Sequence, residues 1–256
     1  MSWEYLLSED DFRLYRNNIY LLEAQVIQHF PDYNKAPEIL SAIRNVPRHF
    51  FVHQSYRYLA YTDHAYPTCS GLTTSAPSVI AEMIYLTGIK RGEKLLEIGT
   101  GTGYEAAILS EMGVTVFTIE IDQQVALEAN KVLIQLGYKI DKRISNEQKR
   151  KENLSEFYKV NKLFSHRGMI ELYMGNGCKG LPIKAPFHGI IVAASIYQSK
   201  NIEHLIAQLI DEGGRLVVPI GNRQEQIMHI FEKRKHRVHT SILEDISFNF
   251  VRLILE

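Results

Sequence analysis

The sequence predicts an α/β fold: a doubly wound, mostly parallel Rossmann-like sheet with helices on both faces, antiparallel C-terminal strands and an N-terminal helical extension. Three observations carry the prediction. From residue 93 onward, five apolar segments rich in Val, Ile and Leu alternate with helical stretches at 103–112, 123–136 and 201–210. The segments are KLLEIG (94–99), TVFTIEI (115–121), IELYMG (170–175), GIIVAA (189–194) and GRLVVPIG (214–221). Strands of that composition between helices describe a parallel sheet covered on both faces. The first of them runs into LLEIGTGTGY at 95–104, in which an acid precedes three glycines at alternate positions and a helical start. The second ends in a carboxylate, Glu120, where doubly wound folds hold a ribose.

The remaining elements follow in order. LYRNNIYLLEAQVIQHF carries apolar residues at helical spacing and is closed by Pro31; a second short helix spans about 36–46. Residues 47–77, with Tyr56, Tyr58, Tyr61, Tyr66, Pro67 and Gly71, read as an ordered irregular segment, and a helix from about 78 to 88 has Pro77 in its first turn. Strands near 225–233 and 246–255 follow without an intervening helix, so the sheet is expected to end antiparallel. Residues 139–168 are polar and charge-rich, too long for an ordinary connection, and read as an insertion. One compact domain is expected: a helical, substrate-side segment at 1–90, a cofactor-binding core at 91–221, and strands at 222–256 that complete the sheet.

Composition narrows the function. At 256 residues, 45% hydrophobic and 23% charged, the chain has the profile of a soluble globular protein. Lys plus Arg equals Asp plus Glu at 29 each, so no global basic field is present to hold a nucleic-acid backbone. Cys69 and Cys178 are the only cysteines, which fits a reducing compartment and disfavours a zinc or disulfide scaffold. MSWEYLLSEDDF has no basic n-region or apolar h-region, and no apolar run approaches bilayer length; the expected place is the cytoplasm, without membrane or nucleic-acid partners. The ten histidines, among them His49, His53, His64, His166 and His188, show no paired ligand spacing, so no metal is expected. The basic runs at 149–151 and 233–237 read as solvated faces.

The glycine turn identifies a ligand class. Gly99, Gly101 and Gly103 let the backbone turn sharply and approach a ligand, and the helix behind them offers free N–H groups. The spacing is not the G-x-G-x-x-G of a dinucleotide site. With Glu97 just before the first glycine, it is the S-adenosylmethionine version of the loop, and Glu97 can face the cationic end of the cofactor. Thr100 sits within the same turn. Glu120 is expected to accept both ribose hydroxyls. Asn176, in Gly175-Asn176-Gly177 at the end of the third strand, is either an adenine contact or a plain turn residue. In GLTTSAPS (71–78) three hydroxyls, Thr73, Thr74 and Ser75, precede a proline and a helix, which by local chemistry is a capping motif.

VPRHFFV at 46–52, LAYTDHAYP at 59–67, GLTTSAP, LLEIGTGTGY, IEID at 119–122, LGY at 136–138, APFHGIIVAA at 185–194 and GGRLVVPIG at 213–221 resemble the protein-L-isoaspartate O-methyltransferases in order and approximate spacing. The upstream V-P-R-x-x-F-V and T-x-S-x-P are the specific part. The resemblance implies that Ser75 touches both substrate carboxylate and cofactor, in place of the capping role. It implies that Thr73 and Thr74 line the same wall, that Gly99, Gly101 and Glu120 hold S-adenosylmethionine, and that Asn176 and Gly177 flank the adenine. The product would be S-adenosyl-L-homocysteine. The chain departs from the family with Asn176 for an acid, Leu72 before the Thr pair, His188 for an acid, Ser195-Ile196 after the fourth strand, Arg252 for a proline, and the 139–168 insertion.

A carboxylate with a reference pKa of about 4 is already ionised at neutral pH and needs no general base. An enzyme that aligns it with a sulfonium methyl needs few catalytic residues. The expected function is therefore carboxyl O-methylation of a protein or peptide. Repair of L-isoaspartyl residues is one form of it. A specialised enzyme tailoring a biosynthetic peptide at its C-terminus or at a modified aspartate is the other, with the 139–168 insertion gripping a dedicated peptide. A non-catalytic cofactor-binding module is the third reading.

Overall fold

A computed structural model describes residues 7–30, 34, 36–68, 73–140, 157–165, 167–196, 202–222, 225–235 and 237–248. Its helices are α1 (Glu9–His29), α2 (Pro37–Asn45), α3 (Pro77–Thr87), α4 (Tyr104–Glu111), α5 (Gln123–Gln135) and the single turn α6 (Glu203–Ile206). Its strands are β1 (Tyr66–Pro67), β2 (Thr73–Thr74), β3 (Lys94–Ile98), β4 (Thr115–Glu120), β5 (Lys139–Ile140), β6 (Phe157–Phe164), β7 (Met169–Gly175), β8 (Gly189–Val192), β9 (Glu212–Gly221), β10 (Gln226–Arg234) and β11 (Arg237–Phe248). Short 3-10 turns at Arg48–Phe50 and Gln54–Leu59 link α2 to β1.

Strands β3 to β11 form one sheet in the order β11-β10-β9-β8-β3-β4-β7-β6-β5. The pairs β9/β8, β8/β3, β3/β4 and β4/β7 are parallel; the outer pairs on both sides are antiparallel. After β7 the chain returns to the far side of β3 to make β8, so the strand order reverses between β3 and β8. The carboxyl ends of those two strands open a crevice at the reversal, the place where open α/β sheets bind ligands. β1 and β2 pair antiparallel apart from this sheet and carry the Ser75 segment.

Local chemistry explains the N-terminal helices. Ser8 Oγ accepts from the Asp11 N–H at 3.2 Å, and Glu9, Asp10 and Asp11 place negative charge at the positive end of α1. Tyr15, Ile19, Leu22 and Val26 recur at helical spacing and bury one face of α1. α2 and α3 each begin with a proline, whose missing N–H costs nothing there, and α3 closes on Gly88 at φ 65°. These helices join α4 and α5 over one face of the sheet, around Leu95, Val116, Ile170, Ile191 and Val217. The alternate strand residues Leu96, Ile98, Ile119, Ile190, Val192 and Val218 form a second core with Leu181, Phe187, Ile202, Leu205 and Leu209. Alternation along each strand thus feeds two apolar layers.

Three elements differ from the sequence-based expectations. The helix expected at 201–210 is one turn, because Gln208 and Leu209 shift to i→i+3 bonds and the Ile210 N–H is taken by Phe187 O at 2.9 Å. The strand expected at 246–255 begins earlier, as Arg237–Phe248, and residues 249–255 lie outside the described residues; the basic run belongs to a tight reversal, with Arg234 opposite Arg237 and Lys235 at φ 44°. Within 139–168, β5 and β6 extend the sheet antiparallel beyond β7; residues 141–156 lie outside the described residues. Among the described residues no helix is long and apolar enough to cross a membrane.

Candidate functional site

The glycine turn lies at the strand-order reversal. Gly99, Gly101 and Gly103 have φ of 97°, 52° and 84°, and Gly103 is the N-cap of α4. Ile119 O, at the end of β4, accepts from both the Gly99 and Thr100 N–H groups at 2.9 and 3.2 Å, which fastens the turn across two strands. A Cβ at Gly99 would lie 3.5 Å from Ala193 O beyond β8, whereas one at Gly101 would meet nothing within 4 Å. The turn is therefore pressed against β8 on one side and open on the other. A side chain at Gly101 would fill the space in which a ligand is cradled, so the residues present fit a nucleotide-like cofactor.

Two acids flank this cradle in different ways. Glu120 holds the turn: its Oε2 accepts from Gly101 N at 2.9 Å and its Oε1 from Asp122 N at 3.1 Å. Burial raises its pKa, with those N–H groups opposing the shift. Glu97 is wholly buried beneath the turn. Its Oε2 accepts from the Thr118 hydroxyl, so the Thr100 hydroxyl, 2.6 Å from Thr118, donates inward along the same chain. The Thr100 side chain consequently serves the sheet and leaves only its backbone toward the crevice. Glu97 Oε1 is a buried oxygen with no hydrogen-bond partner among the described residues, a second feature suited to a cationic ligand group.

Glu105, in the first turn of α4, is a residue that the motif reading passed over. It is buried beside Glu97, and its Oε1 also has no hydrogen-bond partner among the described residues. Burial pushes its pKa up to about 8, while burial and repulsion from Glu105 hold Glu97 well above the carboxylate range. An acid whose folded pKa is raised binds its proton in the native state after the unfolded chain has released it. Stability therefore falls as pH rises from about 4.5 to about 8. Glu105→Gln removes that term, so its gain in melting temperature over the wild type should grow from pH 5 to pH 8 in calorimetry. Parallel pH profiles for the two proteins would show that Glu105 does not titrate in this window.

The segment before α3 is tied to the start of α4 through Arg48, which bonds the Ser75 carbonyl and lies 5.6 Å from the ring centre of Tyr104. The N-cap position of α3 is Ala76, with no side-chain cap, and the first-turn N–H of Ser78 is satisfied from a distance by Asp63 Oδ1 at 2.8 Å. The capping role that local chemistry assigned to the hydroxyls is thus filled by Asp63, fifteen residues upstream. Half-buried Ser75 gives its carbonyl to Arg48 Nη2 at 3.2 Å. Thr73 and Thr74 are consecutive in β2, so their side chains point to opposite faces, Thr73 exposed and Thr74 buried; they do not line one wall.

Asn176 begins the 3-10 turn Gly177–Lys179, and its Oδ1 accepts from Cys178 N at 2.9 Å, the geometry of a turn residue at the carboxyl end of β7. Gly177 sits where a Cβ would come within 2.6 Å of Ile98 Cγ2, at the ends of β3 and β4, so the chain can cross the crevice floor there only as glycine. His188 lies at the other edge of the sheet: its Nδ1 accepts from Lys94 N, at the start of β3, at 3.2 Å. That departure is remote from the ligand edge.

A strand order that reverses at β3, with a glycine turn above it, is the ligand-binding arrangement of doubly wound folds, and the relatives of this chain place it among the Rossmann-like methyltransferases that use S-adenosylmethionine. The family model Protein-L-isoaspartate(D-aspartate) O-methyltransferase matches residues 22–254. Among relatives so named, one from Aeropyrum pernix is 37% identical over 85% of this chain and 73% of its own. One from Vibrio vulnificus is 31% identical over 91% and 96%. A solved protein-L-isoaspartate O-methyltransferase superposes with a TM-score of 0.65 at 23% identity, over 90% of this chain and 65% of that one. The chain thus spans just under two thirds of that structure's length. A Plasmodium falciparum protein solved with S-adenosyl-L-homocysteine has a TM-score of 0.59 at 16% identity, over 88% and 96%. The chain belongs to the protein-L-isoaspartate O-methyltransferase family.

Proposed function

We propose that this protein methylates the side-chain carboxylate of L-isoaspartyl residues in proteins, using S-adenosylmethionine and releasing S-adenosyl-L-homocysteine. The observation that carries the reading is the uncapped Ser75 turn, whose hydroxyl α3 does not need because Asp63 supplies the helix with its cap. In this reading Gly99, Gly101, Gly103 and the Thr100 backbone cradle the cofactor. Glu120 accepts from its ribose hydroxyls, the free oxygen of Glu97 faces its cationic end, and Asn176 and Gly177 border its adenine. Thr74, buried behind Ser75, backs the wall, while exposed Thr73 lies on its outer face.

The bound cofactor supplies a methyl group on a sulfonium, a good leaving arrangement. The substrate carboxylate is ionised at neutral pH, so no residue has to remove a proton. Ser75 donates its hydroxyl to one carboxylate oxygen and leaves the other free to attack, which makes alignment the protein's main contribution. The O–CH3 bond forms as the sulfur–CH3 bond breaks, and the electron pair returns to sulfur. Among the described residues Cys178 is in no disulfide, in keeping with a reducing compartment, and the cytoplasm is the location we propose.

Labelled S-adenosylmethionine offered with an isoaspartyl peptide, its aspartyl twin and C-terminally amidated forms tests the substrate. Base-labile methanol from the isoaspartyl peptide alone, amidated or not, is the expected result. Label lost on amidation would replace repair with tailoring of a dedicated peptide's C-terminus. Label on the aspartyl twin would point to an aspartate as the acceptor. No base-labile label on any of them would overturn carboxyl methylation of these substrates.

A further inference from the structure

Arg48 is fully buried in the 3-10 turn after α2, yet among the described residues its side chain donates to backbone carbonyls alone. Nη1 donates to Ala60 O and Thr62 O, both at 2.8 Å, and Nη2 donates to His64 O at 2.6 Å and Ser75 O at 3.2 Å. The guanidinium lies 5.4 Å from the Tyr66 ring centre and 5.6 Å from that of Tyr104. These partners come from separate parts of the site. Ala60, Thr62 and His64 belong to the stretch that also carries Asp63, the remote cap of α3. Tyr66 is in β1, which pairs with Thr74 in β2. Tyr104 follows Gly103 directly and opens α4.

A charged side chain spread over four carbonyls and two rings is an expensive way to fill space, and its four directed bonds fix relative positions rather than volume. We infer that Arg48 is a positioning residue for methyl transfer: it sets the Ser75 turn against the glycine turn through the Ser75 carbonyl and the Tyr104 ring. The inference rests on the role proposed above for Ser75. Because Arg48 bonds the carbonyls of Ala60, Thr62, His64 and Ser75, and the bonds of the cofactor acids Glu97 and Glu120 run to other residues, its loss should disturb alignment and leave cofactor binding in place. Misplacement by about an ångström at a reacting centre can cost about a hundredfold in rate.

The test is Arg48→Lys in the full chain, which keeps the charge but offers three donors on one nitrogen where four carbonyls are spread around the guanidinium. The variant should fold, bind S-adenosyl-L-homocysteine within about threefold of wild type, and lose at least about thirtyfold in kcat with peptide KM within about threefold. Equal kcat in both proteins, or a proportionate loss of cofactor affinity and turnover together, would overturn the inference and make Arg48 a general strut. If Arg48→Lys does not fold, Tyr66→Leu removes one ring from the guanidinium while keeping its carbonyl bonds. A loss of about fivefold in kcat alone supports the inference, and no kcat loss overturns it. Should the wild type methylate none of the peptides, the substrate reading fails separately. The inference is then decided by amide hydrogen exchange in folded Arg48→Lys, or in Tyr66→Leu if that variant does not fold. Faster exchange confined to 60–66 and 73–78, with 94–135 unchanged, supports it, and uniform or unchanged exchange overturns it.

Discussion

Ser75→Ala is expected to lower turnover at least about a hundredfold while the Kd for S-adenosylmethionine stays within about tenfold, or about 1.4 kcal/mol. The expectation follows from how α3 is capped. The Ser78 N–H bonds to Asp63 and the N-cap residue contributes no side-chain bond, so the Ser75 hydroxyl is spare as far as the helix is concerned. Removing it should leave the melting temperature nearly unchanged, as for substitutions that break no buried contact. Asp63→Ala provides the contrast: it strips the cap from α3 and the partner from His29, and should cost about 1–2 kcal/mol of stability. Turnover and thermal unfolding of the two variants, measured together, separate the roles. If Ser75→Ala loses cofactor affinity and turnover equally, Ser75 is a cofactor contact and does not orient the carboxylate. If instead it melts early, its hydroxyl supports the fold.

The contrast between Ser75 and Asp63 also shows what the amino-acid sequence could reveal. The strands β3, β4, β7, β8 and β9 were legible because a strand buried on both faces is written as an uninterrupted apolar run. The glycine turn and Glu120 were legible because their chemistry is local: residues at fixed short offsets make one turn and end one strand. Capping logic failed at GLTTSAPS for the opposite reason. It assumes a cap adjacent to its helix, and here the acceptor arrives from another segment folded across α3. Arg48 is the same kind of residue, its four acceptors spread from position 60 to 75. Glu105 escaped notice because an acid in the first turn of a helix is ordinarily a solvated partner of the helix dipole. Only the packing of α4 against the sheet reveals that it is buried beside Glu97. The antiparallel β5 and β6 were hidden by polar composition, and the early start of β11 by a basic run that reads as a solvated face but forms a reversal.

Glu120→Gln is expected to weaken S-adenosyl-L-homocysteine binding by about thirty- to a hundredfold, roughly 2–3 kcal/mol, with kcat at saturating cofactor retained within about threefold. Each Glu120 oxygen already accepts a backbone N–H, from Gly101 and from Asp122, and still has a lone pair to offer a ribose hydroxyl. An amide cannot reproduce this. Whichever way it is turned, its NH2 faces one of the two N–H donors and one ribose hydroxyl loses its acceptor. The effect should fall on binding because the ribose is remote from the bond that breaks, so ground state and transition state lose the same interaction. The titration of the carboxyl gives an independent check. Burial raises the Glu120 pKa, so as pH falls the protonated form, which accepts less well, sets in above the usual carboxylate range. Wild-type affinity for S-adenosyl-L-homocysteine should therefore decline on acidification before ordinary carboxylates protonate, and Glu120→Gln should lack that step. Calorimetric titration across pH 5 to 8 measures both. A Gln variant that binds within threefold of wild type at every pH would reduce Glu120 to an anchor for the Gly101 turn. A variant that loses kcat as well as affinity would mean that the anchor itself holds the glycine turn in register with Ser75.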